Sequence, residues 1–135
     1  MRLRREIALF ALGGVLGFVV DASVVQALVS AFDANPYLAR VPSFLAAASV
    51  TWWWNRRHTF AHRRQHRALD EWLRWLAVML LGAAINYGSY AVLVHGLAIV
   101  RAWPWLGVAA GSLLAASVNF LGASKLVFTG TPAAK

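Results

Sequence analysis

The stretch from Ser43 to Phe60, SFLAAASVTWWWNRRHTF, decides the fold, because the chain repeats its pattern 68 residues later from Gly111 to Phe128 as GSLLAASVNFLGASKLVF. Six of the eighteen aligned positions are identical without a gap, and Arg57 aligns with Lys125. Each copy is an apolar run of helical length with small residues in its middle and a cation shortly before a terminal Phe. The match predicts an internal repeat, and duplicated helical hairpins are a common plan for membrane carriers.

The composition indicates an integral membrane protein rather than a water-soluble domain. Of the 135 residues 60% are hydrophobic and only 13% are charged, and the mean hydropathy is +0.58. A small soluble core does not bury so much apolar surface, whereas a bilayer solvates it. The absence of cysteine excludes disulfides and thiolate metal sites. The net charge of +8 is attributed to membrane topology and not to nucleic-acid binding.

The hydrophobic pattern predicts an all-α protein with four transmembrane helices, since a crossing takes about 20 mostly apolar residues. The expected spans are Ile7 to Phe32, Val41 to Thr59, Trp72 to Val100 and Trp105 to Phe128. In that arrangement only Arg40 and Arg101 lie on one side of the membrane. The other side receives eleven cations: Arg2, Arg4, Arg5, Arg56, Arg57, Arg63, Arg64, Arg67, Arg74, Lys125 and Lys135. By the positive-inside rule, both termini and the central basic loop are expected to be cytoplasmic.

The repeat divides the single predicted domain, residues 1–135, into two tandem two-helix units. The first covers about residues 7–60, the basic loop about 61–71, and the second about 72–128. Turn residues from Asp33 to Pro36 are expected to end the first span, and Pro42 and Pro104 are expected in the first turns of the helices that follow. Glycines such as Gly13, Gly17 and Gly111 predict close contact between helices.

Three polar residues at membrane depth are candidates for a polar route. Asp21 lies in the middle of the first span, Asn86 in the third and Asn119 in the fourth. An intramembrane carboxylate is costly, so Asp21 is a functional candidate by default, although it could equally tie two helices together. The two amides offer both a donor and an acceptor to a hydroxylated headgroup.

The cations at the ends of the two repeated segments are candidates for binding a lipid phosphate. Arg56, Arg57 and Lys125 are expected on the same side of the membrane, and Arg57 and Lys125 also occupy the same position in the repeat. A charge that only sets the topology has to lie on the correct side but does not need a fixed position in the repeat. Guanidinium groups match phosphate oxygens in pairs, and basic pockets at the interface suit anionic headgroups.

Metal binding and catalysis find little support in the sequence. His58, His62 and His66 are spaced four apart, but arginines lie among them and no acidic cluster is nearby, so no metal is predicted. The chain has no phosphate-binding glycine loop, nucleophilic serine motif or paired carboxylates. We therefore expect neither enzymatic activity nor a cofactor.

Taken together, FALGGVLGFVVDASV, SFLAAASVTWWWNRRHTF, the basic loop and SLLAASVNFLGASKLVF resemble the GtrA-like family of small four-span bacterial membrane proteins. The resemblance covers nearly the whole chain, and its most specific part is the segment from Asn55 to Phe60. It implies a protein that moves polyprenyl-phosphate-linked sugars across the inner membrane. The implied headgroup residues are Asn55, Arg56 and Arg57 in the first copy and Asn119 and Lys125 in the second, and Asp21 matches the polar position of the first span.

This chain departs from the family pattern at three positions. Thr51 stands where the first copy often has an Asn, His58 replaces an aromatic residue, and Ala123 stands opposite Asn55. These departures weaken the expectation of a phosphate site in the second copy and leave the expected fold unchanged.

The leading hypothesis is a non-enzymatic carrier that flips a polyprenyl-phosphate-linked sugar from the cytoplasmic to the outer leaflet, for cell-surface polysaccharide or O-antigen glycosylation. Its expected partners are the glycolipid, membrane lipids, glycosyltransferases of the same pathway and a second copy of the chain in a dimer, and no nucleic acid. One alternative is a proton-coupled exporter of small molecules that uses Asp21. Another is an anchor for a glycosyltransferase that moves no lipid itself.

Overall fold

The computed structural model describes residues 1–63 and 66–130, and within these ranges the chain is helical without a strand. The helices are α1 (Arg2–Phe32), α2 (Pro36–Trp54), α3 (Ala68–Gly96), α4 (Ala98–Ala102) and α5 (Pro104–Gly122). Two five-residue π-helical segments, the first π turn (Asn55–Thr59) and the second π turn (Ala123–Val127), follow α2 and α5, and a short 3₁₀ helix covers Ala61–Arg63. The predicted all-α class is confirmed for the described residues. Arg64 and Lys135, counted above among the cytoplasmic cations, lie outside them.

The chain divides into two compact units. Unit 1 is Met1–Ala68 together with the chain from Phe128, and unit 2 is Leu69–Val127. Unit 1 contains α1, α2 and the first π turn, and unit 2 contains α3, α4, α5 and the second π turn. Each unit is thus a helical hairpin with its own contacts.

The turn between α1 and α2 is formed by the residues expected to break the chain. Asp33 adopts a left-handed conformation (φ 49°), which a short polar side chain tolerates, and its backbone N–H donates to the Leu28 carbonyl. Asn35 then caps α2, because its side-chain oxygen accepts hydrogen bonds from the N–H groups of Tyr37 (2.9 Å) and Leu38 (3.3 Å). Pro36 occupies the first turn of the helix, where its missing N–H is not needed.

Two predicted boundaries differ from the structure. Pro42 was expected in the first turn of the second span but lies inside α2, because the Asn35 cap and Pro36 start the helix six residues earlier. The third predicted span, Trp72 to Val100, is interrupted at Leu97, where an extended residue separates α3 from α4. Pro104 begins α5 as expected.

Glycines allow the helices of each unit to approach closely. In unit 1, a methyl group at Gly13 would lie 2.6 Å from Trp54 Cδ1, and one at Gly17 would collide with Thr51. The Trp54 indole N–H also donates to the carbonyl of Leu9 (2.9 Å), which ties α2 to α1. In unit 2, a methyl group at Gly111 would lie 2.7 Å from the backbone oxygen of Asn86. The predicted close packing is confirmed at these positions.

The helices suit a membrane rather than water. Arg2–Phe32, Ala68–Gly96 and Leu106–Val127 are each long and apolar enough to cross a bilayer, whereas α2 does not reach the same hydropathy. Large apolar side chains lie exposed along these helices, among them Phe18 (72%) and Leu113 (71%). Apolar surface on that scale is stable only against lipid or a partner, so the protein is a membrane protein.

Candidate functional site

The first π turn holds three of the predicted site residues. The Asn55 N–H donates to the carbonyls of both Thr51 and Trp52, and the Phe60 N–H closes the turn on the Asn55 carbonyl (2.8 Å). A π-helical segment widens the helix, and such segments are frequent at functional sites. Asn55 and Thr59 are buried by this turn, while Arg57 is exposed.

Asn55 lies in the interior of unit 1 and not at its surface. Its side chain is 1% exposed, and its Nδ2 donates to the Thr51 carbonyl (2.8 Å). Its Oδ1 is buried and accepts no hydrogen bond from the described residues. Asn55 therefore adds a side-chain hydrogen bond to the start of the first π turn and leaves one buried acceptor without a partner among the described residues.

The predicted phosphate-binding arginines rest on the tryptophans of α2. The Arg56 guanidinium lies 5.3 Å from the Trp52 ring, and that of Arg57 lies 5.6 Å from the Trp53 ring. Both distances fall within cation–π range. The aromatic residues at the end of α2 thus orient the two cations that follow them.

The equivalent end of α5 has the same backbone design in unit 2. The Ala123 N–H donates to the carbonyls of Asn119 and Phe120, and the second π turn presents Lys125 as an exposed side chain. Arg74, at the start of α3, donates to the Leu126 carbonyl (3.4 Å) and adds a second cation to this end of the unit.

The two intramembrane amides of unit 2 pack against glycines. Asn119 lies against Gly82, and its Oδ1 is buried without a partner among the described residues. Asn86 lies against Gly111 and also borders a shallow groove of about 370 Å³ that is lined by Tyr87 and Tyr90. Both amides therefore lie where the hairpin helices are closest.

Asp21 is paired with a cation that the sequence placed elsewhere. Arg40 Nη1 donates to Asp21 Oδ2 (2.7 Å), which joins α1 to α2, and the other carboxylate oxygen is buried and has no partner within residues 1–63 and 66–130. The four-span prediction put Arg40 with Arg101 on the side opposite the other cations and did not connect it with Asp21. Asp21 lies eight residues beyond Gly13, which abuts Asn55, so about 12 Å of helix separates it from the first π turn.

A buried ion pair near the start of α1 was missed from the sequence. Glu6 is 4% exposed, and Arg63 Nη2 donates to both of its carboxylate oxygens (3.0 Å each). The His62 ring nitrogen Nε2 lies 3.3 Å from the same carboxylate. Burial is the main cause that lowers the pKa of His62 below 6.5. The Glu6 carboxylate raises this pKa, and the nearby arginines lower it further. Only the charge pattern could have suggested this pair, since 57 residues separate its members.

The three histidines of the basic segment serve separate contacts. His58 stacks on Trp54 (4.2 Å between ring centroids), His62 approaches Glu6, and the His66 ring lies 2.7 Å from the Thr129 hydroxyl. Within residues 1–63 and 66–130, no group of three or more His, Cys, Asp or Glu side chains is arranged to hold a metal ion.

Comparison with known proteins identifies one family. Residues 9–129 match the family model described as GtrA/DPMS, transmembrane domain. A search of curated proteins finds no significant match to the chain. The matched segment includes both π turns and every predicted site residue.

Proposed function

Because this chain belongs to the GtrA/DPMS transmembrane-domain family, we propose that it moves a polyprenyl-phosphate-linked sugar across the bacterial inner membrane. The family is one of membrane proteins that handle glycolipid-linked sugars. In the proposed activity the sugar lipid passes from the cytoplasmic to the outer leaflet and supplies glycosyltransferases that build cell-surface polysaccharide. The protein catalyses no bond change and needs no cofactor in this activity.

The proposed topology has four spans in two tandem repeats, with both termini in the cytoplasm. Supporting it, α2 and α5 each have 19 residues, each starts with a proline, and each is followed by a five-residue π turn, all 68 positions apart. A 19-residue helix is about 28 Å long, close to the hydrocarbon thickness of a bilayer. In this proposal α2 is the second of the four spans, and Trp52, Trp53 and Trp54 lower its hydropathy because they belong to the interface.

The paired π turns are the observation that carries the phosphate role. Each turn ends a helix of the same length and leaves a cation exposed, Arg57 in unit 1 and Lys125 in unit 2. Arg56 and Arg57 are held on indole rings, and the proposed topology puts them at the level of the lipid phosphates. We assign lipid-phosphate binding to Arg56, Arg57 and Lys125, and Asn55 adds a side-chain hydrogen bond to the turn that presents the two arginines.

The polar route for the sugar is assigned to the groups at bilayer depth. Asp21, Asn119 and Asn86 offer hydrogen-bonding atoms to sugar hydroxyls, and a buried oxygen of Asp21 and one of Asn119 have no partner among the described residues. The prenyl chain remains in the lipid. Because so few polar groups enclose a headgroup in one chain, the working form is proposed to be a homodimer.

The exporter alternative finds no support in the geometry. It needs a carboxylate that exchanges protons with a cationic substrate, whereas Asp21 already accepts a hydrogen bond from Arg40 at 2.7 Å. A substrate would have to displace that guanidinium, so we do not propose it.

The test is transbilayer movement of a labelled polyprenyl-phosphate sugar in proteoliposomes. The double variant Arg57→Ala with Lys125→Ala is expected to slow movement at least about tenfold, since each charged contact to phosphate is worth about 1.5–3 kcal/mol. Arg67→Ala is the matched control, because Arg67 is an exposed cation outside both π turns. Movement at the wild-type rate in the double variant would show that these cations do not bind the phosphate. Absence of movement in the wild type would remove the proposed function itself.

A further inference from the structure

We propose that a pocket between the start of α1 and the first π turn binds a phosphate group. The pocket has a volume of about 230 Å³ and lies entirely in unit 1. It is lined by Arg2, Arg5, Glu6, Leu9, His58, Thr59, Ala61 and His62. The pocket shares the first π turn with the predicted phosphate ligands Asn55, Arg56 and Arg57, but none of these three residues lines it.

The charge of the pocket favours an anion. Its single carboxylate, Glu6, is matched by Arg63, which donates to both of its oxygens. Arg2 and Arg5 remain, and neither side chain has a hydrogen bond or an ion pair with any described residue. Two positive side chains therefore line the pocket without a counter-charge from residues 1–63 or 66–130.

A buried hydroxyl supplies the second, independent observation. Thr59 lines the pocket, is 2% exposed, and its Oγ1 is buried without a hydrogen-bond partner among the described residues. Buried hydroxyls are rarely left without a partner, so an unsatisfied one in a pocket wall points to a missing ligand atom. A phosphate oxygen is an acceptor that this donor and both arginines could share.

The position on α1 adds to the preference for an anion. Arg2, Arg5 and Glu6 belong to the first two turns of this helix, where the helix dipole is positive. Met1 provides no side-chain cap, and the first turn has no acidic residue to neutralise it.

The size and the apolar side of the pocket restrict the ligand. A volume of 230 Å³ is below the roughly 300–1,000 Å³ of typical small-molecule sites, so it accepts a phosphate group rather than a whole sugar headgroup. Leu9 lines the pocket at its end farther along α1, which suits a phosphate esterified to an apolar chain. Only the choice of a prenyl phosphate as the ligand rests on the proposed function. Free phosphate presents the same oxygens to the pocket.

Equilibrium binding to the purified full chain in phosphatidylcholine nanodiscs tests the proposal. The probes are farnesyl phosphate and inorganic phosphate, and farnesol is the uncharged control. Arg5→Gln and Thr59→Val are each expected to weaken phosphate binding about tenfold, as expected for loss of one charge-assisted or buried hydrogen bond. Thr59→Ser keeps the hydroxyl and should restore affinity.

Arg4→Gln is the matched control, since Arg4 is an exposed cation on the same helical turn but does not line the pocket. Weaker binding of either phosphate probe in both pocket variants, with Arg4→Gln unchanged, supports the site, and comparing the two probes identifies lipid or free phosphate as its ligand. Unchanged affinity in Arg5→Gln and Thr59→Val would overturn the inference and leave the transport proposal standing. Conversely, phosphate binding by a wild-type protein that moves no lipid would remove only the transport proposal.

Discussion

Single residues in this protein acquire their roles from partners distant in the sequence. Asp21 is neutralised by Arg40, 19 residues away, and Glu6 by Arg63, 57 residues away. Both pairs join separate segments of unit 1, so each charge that looked isolated or merely topological also holds the unit together. For Glu6, the more buried of the two carboxylates, the cation and its hydrogen bonds compensate for lost hydration.

His62 makes the stability of the protein depend on pH. Its pKa is lowered in the folded protein, mainly by burial, so the unfolded chain binds the proton more tightly. The free energy of unfolding should therefore be higher above pH 6.5 and fall as the pH drops below that value. Thermal unfolding in detergent at several pH values measures this slope, and His62→Gln should flatten it. His95→Gln, which alters an exposed histidine of unit 2, should leave the slope as in the wild type; an equal slope in all three proteins would contradict the prediction.

At the level of elements, α2 and α5 both end in a π turn, although the residue that starts the turn is Asn55 in one and Ala123 in the other. Asn55 shapes the first π turn with a side-chain hydrogen bond to the Thr51 carbonyl, whereas Ala123 has no such group. Both turns nonetheless share the bifurcated backbone hydrogen bond at their first residue. The backbone therefore adopts the π turn without the Asn side chain. The residues within the turn decide which cation it exposes, Arg57 in the first and Lys125 in the second.

Helix approach in unit 2 should depend on one glycine of α5. A methyl group at Gly111 would lie 2.7 Å from the backbone oxygen of Asn86, an atom that cannot move without the helix. Gly111→Ala is expected to lower the free energy of unfolding by about 1–3 kcal/mol, as overpacking does. Gly88→Ala is the matched control, because nothing lies within 4 Å of the added methyl and alanine favours the helix. Equal stability of the two variants in denaturant titrations would argue against the close contact.

Much of the helical architecture could be predicted from local sequence, and the contacts at the site could not. Apolar runs and the turn residues from Asp33 to Pro36 predicted the first hairpin because capping and proline chemistry act within a few residues. The start of α2 was placed too late because Pro42 resembles a first-turn proline as closely as Pro36 does. The pocket at Thr59 depends on packing between Arg2–Leu9 and His58–His62, which lie far apart in the chain and for which one sequence has no local signal.

At the scale of the whole molecule, the number of spans depends on whether α2 crosses the bilayer. Three helices are apolar enough to do so on their own, and α2 is the exception. A hydrogen bond from the Trp54 indole to Leu9 and the Gly17–Thr51 contact hold α2 along α1. A helix packed in this way can enter the bilayer with its partner even where its own hydropathy is modest.

Cysteine labelling can decide this, since the chain has no native cysteine. With α2 as a span, Ala34→Cys should react with a membrane-impermeant maleimide from outside the cell, and Arg67→Cys only after the membrane is opened. Ala102→Cys is expected to behave as Ala34→Cys does. Labelling of Arg67→Cys from outside, with Ala102→Cys protected, would instead indicate three spans.

The stacked rings of Phe60 and Phe128 impose an order on assembly during synthesis. The two rings lie 4.9 Å apart in unit 1 and both are fully buried there. Although α1 and α2 leave the ribosome first, their unit lacks one ring of its interior until residue 128 has been made. Unit 1, whose helices are translated earliest, is therefore the unit whose interior is completed last, after all residues of unit 2 have been made.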